Sequence, residues 1–332
     1  MGSSEMNYQI RQANPGDVLP ALNLALRVFM EFEAPEYEQG AVSKFKADCV
    51  ENKEYIENYT SNKHLMFIAV DNEEIVGIVN ERGNGRISML FVDGEHHRQG
   101  IATALMERIV CELKLRGIDK IVLHSSPYGV PFYKHFGFKA TDSEQKLNCF
   151  TVTPMEYTPN EIWDVLDENG NKTGRYAERG RKMATGDYHL VVHVWKHNGK
   201  GEWLIDKRAP RVSDTLGGMW ETTGGSAVAG DDSLTAALRE TKEELGIDLD
   251  PKKGMLFQRT ARKRNNGHTW FQDVWIFEHD CPIEAIKLQK GETCDAMWAT
   301  ADKIKDMMMA GEFLGNEFYP YFDEMMEMYA NA

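Results

Sequence analysis

The chain has 332 residues, enough for two domains that each bury a core of their own. Hydrophobic residues make up 42% and charged residues 27%, as in ordinary globular proteins, and no apolar run reaches the roughly 20 residues that a membrane span requires. The net charge of −14 is shared by both halves and argues against bulk attraction to nucleic acid or to a membrane surface.

The first half is predicted to fold as a mixture of helices and strands. Apolar residues recur at helical spacing after Asp17, which predicts a helix that Asp17 caps, and residues 41–59 are expected to form a polar helix. Two further helices are predicted at 100–115 and 130–136. Strands are predicted where β-branched and aromatic residues lie between turn residues, at 8–11, 64–70, 75–79, 86–92, 120–124 and 150–153.

A domain boundary is predicted at Pro159, because proline resists continuation of the strand-like runs on either side of it. Beyond this point, helices are predicted at 233–245 and 302–309. Strands, several of them paired across Asn-Gly turns, are predicted at 162–166, 191–195, 203–207, 256–262, 270–277 and 297–299.

The helix predicted at 233–245 has two chemically different faces. At about 100° per residue its apolar residues fall on one face, and three carboxylates lie within one turn on the other, those of Glu240, Glu243 and Glu244. Hard oxygen ligands of this kind suit magnesium or manganese, which also bind phosphate oxygens and keep coordinated water. Such a site neutralises a diphosphate and activates an attacking water. The alternative is a solvated face with ordinary ion pairs, such as Arg239 with Glu243.

This segment resembles the Nudix box, in which a glycine and a glutamate precede the run Arg-Glu-aliphatic-x-Glu-Glu-x-Gly-aliphatic at fixed spacing. The chain matches the spacing with Gly225, Asp231, Arg239, Glu240, Thr241, Glu243, Glu244, Gly246 and Ile247. Asp231 stands where the family has glutamate, which shortens that carboxylate by one methylene, and Thr241 replaces an aliphatic residue. The run from Arg239 to Glu244 is intact.

The resemblance extends from about residue 162 to about residue 329 and implies an α/β/α sandwich. Nudix proteins hydrolyse compounds in which a diphosphate, often that of a nucleoside, is linked to another group. The resemblance implies that Glu240, Glu243 and Glu244 bind Mg²⁺ (or Mn²⁺) and are catalytic together with Arg239, which would orient them. Asp231 would hold the loop rather than take part in the chemistry.

Two further roles stay open in this half. The water-activating base varies within the family, and both Glu243 and Glu292 are candidates. Arg208 either meets a substrate phosphate or forms a surface ion pair.

His189 stands where isopentenyl diphosphate isomerase, a relative within the superfamily, has a metal-binding histidine. That isomerase also needs a cysteine and a histidine that residues 220–225 lack, so hydrolysis is the favoured reading.

A second candidate site lies in the first half, where a predicted strand leads through a short turn into helix 100–115. Such a turn presents backbone N–H groups at a helix N-terminus, and Gly100 lets a pyrophosphate approach them. The turn resembles the cofactor motif of the GNAT N-acetyltransferases, Gln/Arg-x-x-Gly-x-Gly/Ala. Gly100 and Ala102 match this motif, whereas His97 departs from its first position. The alternative is a plain strand-to-helix turn.

The stretch around Tyr133 resembles the second acetyl-CoA motif of the same family, and the similarity covers about residues 8–157. It implies a mixed sheet with flanking helices that binds acetyl-CoA through Phe91, Val92, His97, Arg98, Gln99, Gly100, Ile101, Ala102 and Thr103. Tyr133 is expected to protonate the departing thiolate. Candidates for the general base are Glu31, Glu33 and Glu81, although a water chain often serves instead in this family.

These observations predict an α/β protein with an acetyltransferase-like domain at 6–157 and a Nudix hydrolase domain at 160–332. Small molecules are the expected partners, a diphosphate compound and an amine acceptor, and not nucleic acid or a membrane. In one alternative, the Nudix half senses a nucleotide and regulates the acetyltransferase. In another, the first half binds acetyl-CoA without catalysis. Five cysteines without a CxxC pair, and no signal pattern, indicate the cytoplasm.

Overall fold

The computed structural model describes residues 8–210 and 215–330, except for the side chain of residue 330. The chain divides into two compact units between Ile162 and Trp163, and the short segment Glu178–Gly180 groups with the first unit. Residues 158–161, around the predicted boundary at Pro159, are neither helical nor in a strand. Among the described residues, no helix combines the length and apolar character needed to cross a membrane.

The described residues of the first unit form several α-helices. They are α1 (Val18–Phe32), α2 (Ala41–Phe45), α3 (Lys53–Thr60), α4 (Ile101–Leu115) and α5 (Val130–Phe136). Its strands are β1 (Tyr8–Gln12), β2 (Met66–Asp71), β3 (Glu74–Glu81), β4 (Ile87–Val92), β5 (Ile121–Ser125), β6 (Lys139–Ala140), β7 (Gln145–Leu147) and β8 (Phe150–Tyr157).

Both faces of the antiparallel sheet β1-β2-β3-β4 are buried. Alternation along β2 sends Phe67 and Ala69 to the face covered by α4, and Met66 and Ile68 to the face covered by α1. The strands β5 to β8 form a second sheet. The two sheets meet at a parallel bridge between Arg86 and Val122, so β4 and β5 run side by side only at their beginnings.

Two expectations for this unit were wrong in detail. Residues 41–59 do not form one polar helix, because a turn of π-helix at Lys46–Val50 and a break before Asn52 separate α2 from α3. Asp17 precedes α1, but its side chain does not cap that helix. Its carboxylate instead accepts hydrogen bonds from the Asn14 amide at 2.8 Å, in the preceding turn, and from the Arg11 guanidinium of β1.

The second unit is built around a mixed sheet. Its helices are α6 (Ser233–Leu245), α7 (Ala301–Ala310) and α8 (Phe322–Ala330). Its strands are β9 (Ile162–Leu166), β10 (Lys172–Glu178), β11 (His189–His197), β12 (Glu202–Arg208), β13 (Trp220–Glu221), β14 (Thr223–Ser226), β15 (Gly254–Lys263), β16 (Thr269–Glu278) and β17 (Thr293–Thr300).

Strands β13, β12, β11, β16 and β15 are neighbours in that order, with β14 also on β11 and β17 also on β12. The pair β11 and β16 is parallel, and the other pairs are antiparallel. Along β11, Val192 and Val194 pack in the cluster that includes α6, whereas Trp195 packs in the cluster that includes α7 and α8. The sheet is therefore a middle layer between helices, as the expected α/β/α sandwich requires.

Candidate active sites

The loop from β4 to α4 presents backbone groups at a helix start. Gly100 occupies the left-handed region at φ +84° and is the N-cap of α4, and Arg98 is also left-handed at φ +64°. Residues 98–100 are exposed, while Ile101 is buried and anchors the first turn of the helix. The first amides of an α-helix have no partner within the helix, and anion binding at this helix start stays a prediction.

His97, which departs from the family motif, has a structural role in this loop. Its Nε2 lies 2.9 Å from the carbonyl oxygen of Val92, the last residue of β4, and its ring lies 4.8 Å from that of Phe32. The side chain of Gln99 donates to the carbonyl of Glu95 at 3.2 Å. These two side chains therefore bond to the backbone around the loop.

Phe91 and Val92 lie beyond the point where β4 and β5 separate. The strands bridge at Arg86 and Val122, and β4 then pairs only with β3 among the described strands, with Phe91 opposite Ile78 and Val92 opposite Gly77. The second edge of β4 therefore has no partner strand among the described residues, and the Val92 carbonyl on that stretch lies against His97 Nε2. Binding of a pantetheine arm along Phe91 and Val92 stays a prediction.

Glu33 is the residue in this unit with the most distinctive environment. Its Oε1 accepts a hydrogen bond from Ser126 Oγ at 2.9 Å, across 93 residues of sequence. Burial raises the pKa of Glu33 to about 7, and the hydrogen bond from Ser126 opposes that rise. A carboxyl group that exchanges its proton near neutral pH is well matched to general base catalysis.

Tyr133 lies on α5 in the same neighbourhood. Its side chain is buried, and burial raises the pKa of Tyr133, with a further contribution from the negative charge of Glu33. A Cβ added to Gly129 would lie 3.2 Å from the Tyr133 ring and 3.3 Å from Ser126 Oγ. Because Gly129 has no side chain, Tyr133, Ser126 and Glu33 can pack around one turn. Since the pKa of Tyr133 is raised, its phenol stays protonated at neutral pH.

The other two candidate bases have different surroundings. Glu81 is buried, accepts a hydrogen bond from the Gly83 amide, and faces His64 at 4.0 Å. Glu31 is exposed and lines a surface cleft of about 570 Å³ beside the loop. Carboxylates dominate the charged lining of this cleft, with Arg27 partly offset by Asp93 at 2.6 Å.

In the second unit, α6 carries the acidic motif. Asp232 caps the helix by accepting the Thr235 amide at 2.7 Å, and Gly246 ends it in the left-handed region at φ +70°. Thr241 and Leu245 are fully buried. The Thr241 hydroxyl donates to the Ala237 carbonyl at 2.9 Å, which satisfies the polar atom at a position where the family has an aliphatic residue.

Arg239 ties the acidic residues together. Its guanidinium contacts Asp231 at 3.0 Å, Glu240 at 3.0 Å and Glu243 at 3.1 Å, and it also donates to the Ser226 carbonyl at 3.1 Å. Arg239 thus distributes its donors over three acids instead of pairing both ends of the guanidinium with one. Asp231 reaches Arg239 despite its shorter side chain, in agreement with its expected role of holding the loop.

The carboxylate of Glu240 lies directly against the backbone of Gly225. A Cβ added to Gly225 would approach the carboxylate atoms of Glu240 well inside 3.0 Å, a separation that real Cβ atoms essentially never show. Gly225 belongs to β14 and is held by its pairing with Val192 of β11, whereas the carboxylate is held by the ion pair of Glu240 with Arg239 at 3.0 Å. A side chain at position 225 would therefore displace the Glu240 carboxylate.

Glu244 points inward. Its Oε2 is buried and has no hydrogen-bond partner among the described residues. Burial raises the pKa of Glu244 well above its ordinary value, and the charges of Asp206, Glu221 and Glu240 raise it further. A buried carboxylate oxygen without a donor, beside other carboxylates, fits a hard divalent cation.

The three glutamates do not converge in the structure as it stands. No group of three or more His, Cys, Asp or Glu side chains within 8–210 and 215–330 is arranged to hold a metal ion. Glu243 is half-exposed and turned toward Arg239, whereas Glu244 faces the interior. Metal binding by Glu240, Glu243 and Glu244 stays a prediction.

Other residues singled out in this half have structural partners. Arg208 contacts both carboxylate oxygens of Glu221 at 2.9 and 3.0 Å. His189 stacks on Trp163 at 4.1 Å, and its Nε2 lies 2.9 Å from that of His268. Glu292 is exposed on the loop before β17, where its backbone carbonyl accepts the Ala209 amide.

A chain of buried polar side chains beneath α6 was not predicted from the sequence. Lys196 is fully buried, and its Nζ donates to Thr223 Oγ1 at 2.5 Å. The Thr223 hydroxyl donates to Asp206 Oδ1 at 2.7 Å, and both of these residues are also fully buried. Lys196 lies in the run Val-Trp-Lys-His of a strand, where alternation alone could have signalled an inward-facing lysine.

Comparison with known proteins gives two family matches. Residues 33–159 match the acetyltransferase (GNAT) domain, and residues 187–322 match the NUDIX domain. An uncharacterized Nudix hydrolase of Listeria monocytogenes is 37% identical over 163 residues, which are 49% of this chain and 90% of that protein. The uncharacterized N-acetyltransferase YafP of Escherichia coli is 27% identical over 157 residues, covering 46% of this chain and 97% of that protein.

Among solved structures, a GCN5-related N-acetyltransferase of Rhodopseudomonas palustris is 18% identical. The match covers 47% of this chain and 99% of that one, with a TM-score of 0.42. The MutT protein of Methanosarcina mazei is 23% identical, covering 44% of this chain and 96% of that one, with a TM-score of 0.36.

Proposed function

Because the chain belongs to the Nudix family through its second half and carries a GNAT acetyltransferase domain in its first, we propose that it is a bifunctional enzyme. The second half hydrolyses a diphosphate-linked compound with Mg²⁺ or Mn²⁺. The first half transfers an acetyl group from acetyl-CoA to an amine. The observation that carries the hydrolase activity is the close approach of the Glu240 carboxylate to the Gly225 backbone, together with the buried oxygen of Glu244 that has no hydrogen-bond partner among the described residues.

For hydrolysis, Glu240 and Glu244 would hold the cation, and Glu243 would join them once its carboxylate leaves Arg239. A bound divalent cation supplies charge neutralisation of the diphosphate and a lower pKa for the attacking water. Glu243 is the proposed base, because its half-exposed carboxylate is accessible to water from solvent. It takes one proton as the water oxygen bonds to phosphorus. The bond from phosphorus to the bridging oxygen then breaks, and the leaving phosphate oxygen takes up a proton.

The test is a Mg²⁺-dependent hydrolysis screen over nucleoside-diphosphate compounds and other diphosphates, with Glu243→Gln alongside wild type. We expect turnover that requires the metal and falls by at least about 100-fold in the variant. Glu284→Gln is the matched control, since Glu284 is an exposed glutamate outside the motif. Folded wild-type protein that turns over none of these compounds would favour a nucleotide-sensing role for this half.

For acetyl transfer, the observation that carries the proposal is the hydrogen bond from Ser126 to Glu33 next to Tyr133. The exposed loop at Gly100 would take the cofactor pyrophosphate, and the edge of β4 at Phe91 and Val92, which has no second partner strand among the described residues, would take its pantetheine arm. Acetyl-CoA supplies the activated acetyl group. Carboxylates lining the cleft beside the loop favour a cationic amine.

In this scheme Glu33 removes a proton from the ammonium group, which makes the amine nucleophilic. The nitrogen then bonds to the thioester carbonyl carbon and gives up its second proton to the solvent, and the carbon–sulfur bond breaks with its electrons going to sulfur. Tyr133 gives its proton to the departing thiolate. Release of free thiol from acetyl-CoA across a panel of polyamines, aminoglycosides and amino acids tests the proposal. Absence of amine-dependent release from protein that binds acetyl-CoA would reduce this half to a binding module.

A further inference from the structure

Lys196, Thr223 and Asp206 form a continuous polar chain inside the second unit. The three residues come from β11, β14 and β12, and all three side chains are fully buried. A buried ammonium group loses its hydration, so it persists only beside groups that compensate its charge. Most side chains of the cluster around α6 are apolar, so the carboxylates of Asp206 and its neighbours are the groups that compensate the charge of Lys196.

The direction of hydrogen bonding within the chain is fixed by chemistry. An ammonium group only donates, so Thr223 Oγ1 accepts from Lys196 through a lone pair. The single hydroxyl proton of Thr223 is then directed at Asp206 Oδ1. One oxygen of Asp206 is thereby held in place, and its rotation is restricted.

The other oxygen, Asp206 Oδ2, is buried and has no hydrogen-bond partner among the residues that the structure describes. Asp206 follows Leu204 by two residues on β12, so its side chain lies on the same face of the sheet as Leu204, the face that packs against α6 and therefore against the helix that carries Glu244. Glu244 Oε2 is the second buried acceptor without a donor. Two buried acceptor oxygens without donors, one on β12 and one on α6, suit a cation or a water molecule bound to it.

We propose that Lys196 and Thr223 are positioning residues that hold Asp206 as an additional carboxylate of the metal site, beyond the glutamates of α6. Asp206 Oδ2 takes either the divalent ion itself or a water molecule bound to it. Lys196 supplies a fixed positive charge from within the core, which offsets part of the crowded negative charge. This inference rests on the proposed metal-dependent hydrolysis and adds the strand residues that the site would need.

The experiment measures Mn²⁺ binding to the full-length protein by calorimetry, without substrate. We expect Thr223→Val, which keeps the volume but removes the hydroxyl, to weaken Mn²⁺ binding by roughly 10-fold or more, as for other groups that orient metal ligands. Thr223→Ser restores the hydroxyl and should restore the affinity. Asp206→Asn should weaken binding at least as much as Thr223→Val.

The matched control is Thr222→Val. Thr222 is a buried neighbour whose hydroxyl donates to the Val194 carbonyl at 2.7 Å, so its loss removes a buried hydrogen bond without touching Asp206. The double variant Thr223→Val with Asp206→Asn should bind no more weakly than Asp206→Asn alone, because Thr223 acts through Asp206.

The outcomes separate the inference from the proposed function. Wild-type affinity in both Thr223→Val and Asp206→Asn, with hydrolysis intact in wild type, would overturn the positioning role and leave the hydrolase standing. An equal loss in Thr222→Val would show a purely structural effect and would also overturn it. No Mn²⁺ binding and no hydrolysis by folded wild type would overturn the proposed function and this inference together.

Discussion

The backbone of Gly225 and the carboxylate of Glu240 occupy adjacent space with no room for a methyl group between them. Gly225 is fixed by its pairing with Val192 in the sheet, and Glu240 is fixed by α6 and by its ion pair with Arg239 at 3.0 Å. The contact links the strand and the helix of the motif at the position where a metal ligand is expected. Its tightness makes it a sensitive point for testing the site.

Gly225→Ala should lower metal-dependent hydrolysis by at least about 10-fold, because the new Cβ displaces the Glu240 carboxylate. Mn²⁺ affinity, measured by calorimetry, should fall with it. Gly199→Ala is the matched control, since Gly199 has no heavy atom within 4 Å of an added Cβ and no left-handed backbone. Unchanged Mn²⁺ affinity in Gly225→Ala would argue that Glu240 is not a ligand.

Arg239→Lys should be nearly as damaging as Arg239→Ala. Arg239 contacts Asp231, Glu240 and Glu243 and also the Ser226 carbonyl, and a single ammonium group cannot reach all four. We expect a loss of roughly 10- to 100-fold in kcat/KM for hydrolysis in both variants. Steady-state kinetics at saturating Mg²⁺ provide the measurement, and near wild-type activity of the lysine variant would show that charge alone is needed.

Acetyl transfer should depend on the protonation of Glu33. Burial raises its pKa to about 7, so the carboxylate form that accepts a proton is lost as the pH falls through about 7. The rate kcat/KM should therefore fall about 10-fold per pH unit below that value. Glu33→Gln should remove this limb of the profile together with most of the activity. An unchanged limb in the variant would assign the base to another group.

Glu33 should also affect the stability of the first unit, and this stability should fall with rising pH where the acetyl-transfer activity rises. Because the pKa of Glu33 is raised in the folded state, ionisation is disfavoured there, and stability is lost as the pH rises from about 4.5 through about 7. Glu33→Gln should therefore stabilise the first unit at pH 8, by roughly 1–3 kcal/mol. Urea unfolding at pH 5 and pH 8 measures this. A variant that is less stable than wild type at both pH values would contradict the expected environment of Glu33.

Tyr133→Phe should lower kcat for acetyl transfer by about 10- to 100-fold while the affinity for acetyl-CoA changes little. The ring is buried and packs against Phe132 and Phe138, so phenylalanine keeps the packing and removes only the hydroxyl. Acetyl-CoA binding by calorimetry and thiol release measure the two effects separately. Equal kcat in the variant would show that the thiolate takes its proton from elsewhere.

Local periodicity allowed several elements to be predicted with their bounds. Helices Ser233–Leu245 and Val130–Phe136 and strand Ile162–Leu166 begin and end where the sequence indicated, because a capping residue, an apolar stripe or a proline marks each end. The prediction of one polar helix at 41–59 was wrong because this stretch has no continuous apolar stripe. It is held instead by packing of Val50, Tyr55 and Tyr59 beneath α1. Helix α8 and the short strands β6, β7, β13 and β14 were not predicted.

The sequence by itself determined what lies within one helix turn or one loop. The spacing of Arg239, Glu240, Glu243 and Glu244, and the glycine at position 100 before α4, follow from chain geometry alone. Only the tertiary structure decided which distant residues meet these motifs. Strand register brings Lys196, Asp206 and Thr223 together beneath α6, and the packing of α1 brings Glu33 to Ser126 across 93 residues. Such contacts depend on long-range pairing and burial, which local patterns do not specify.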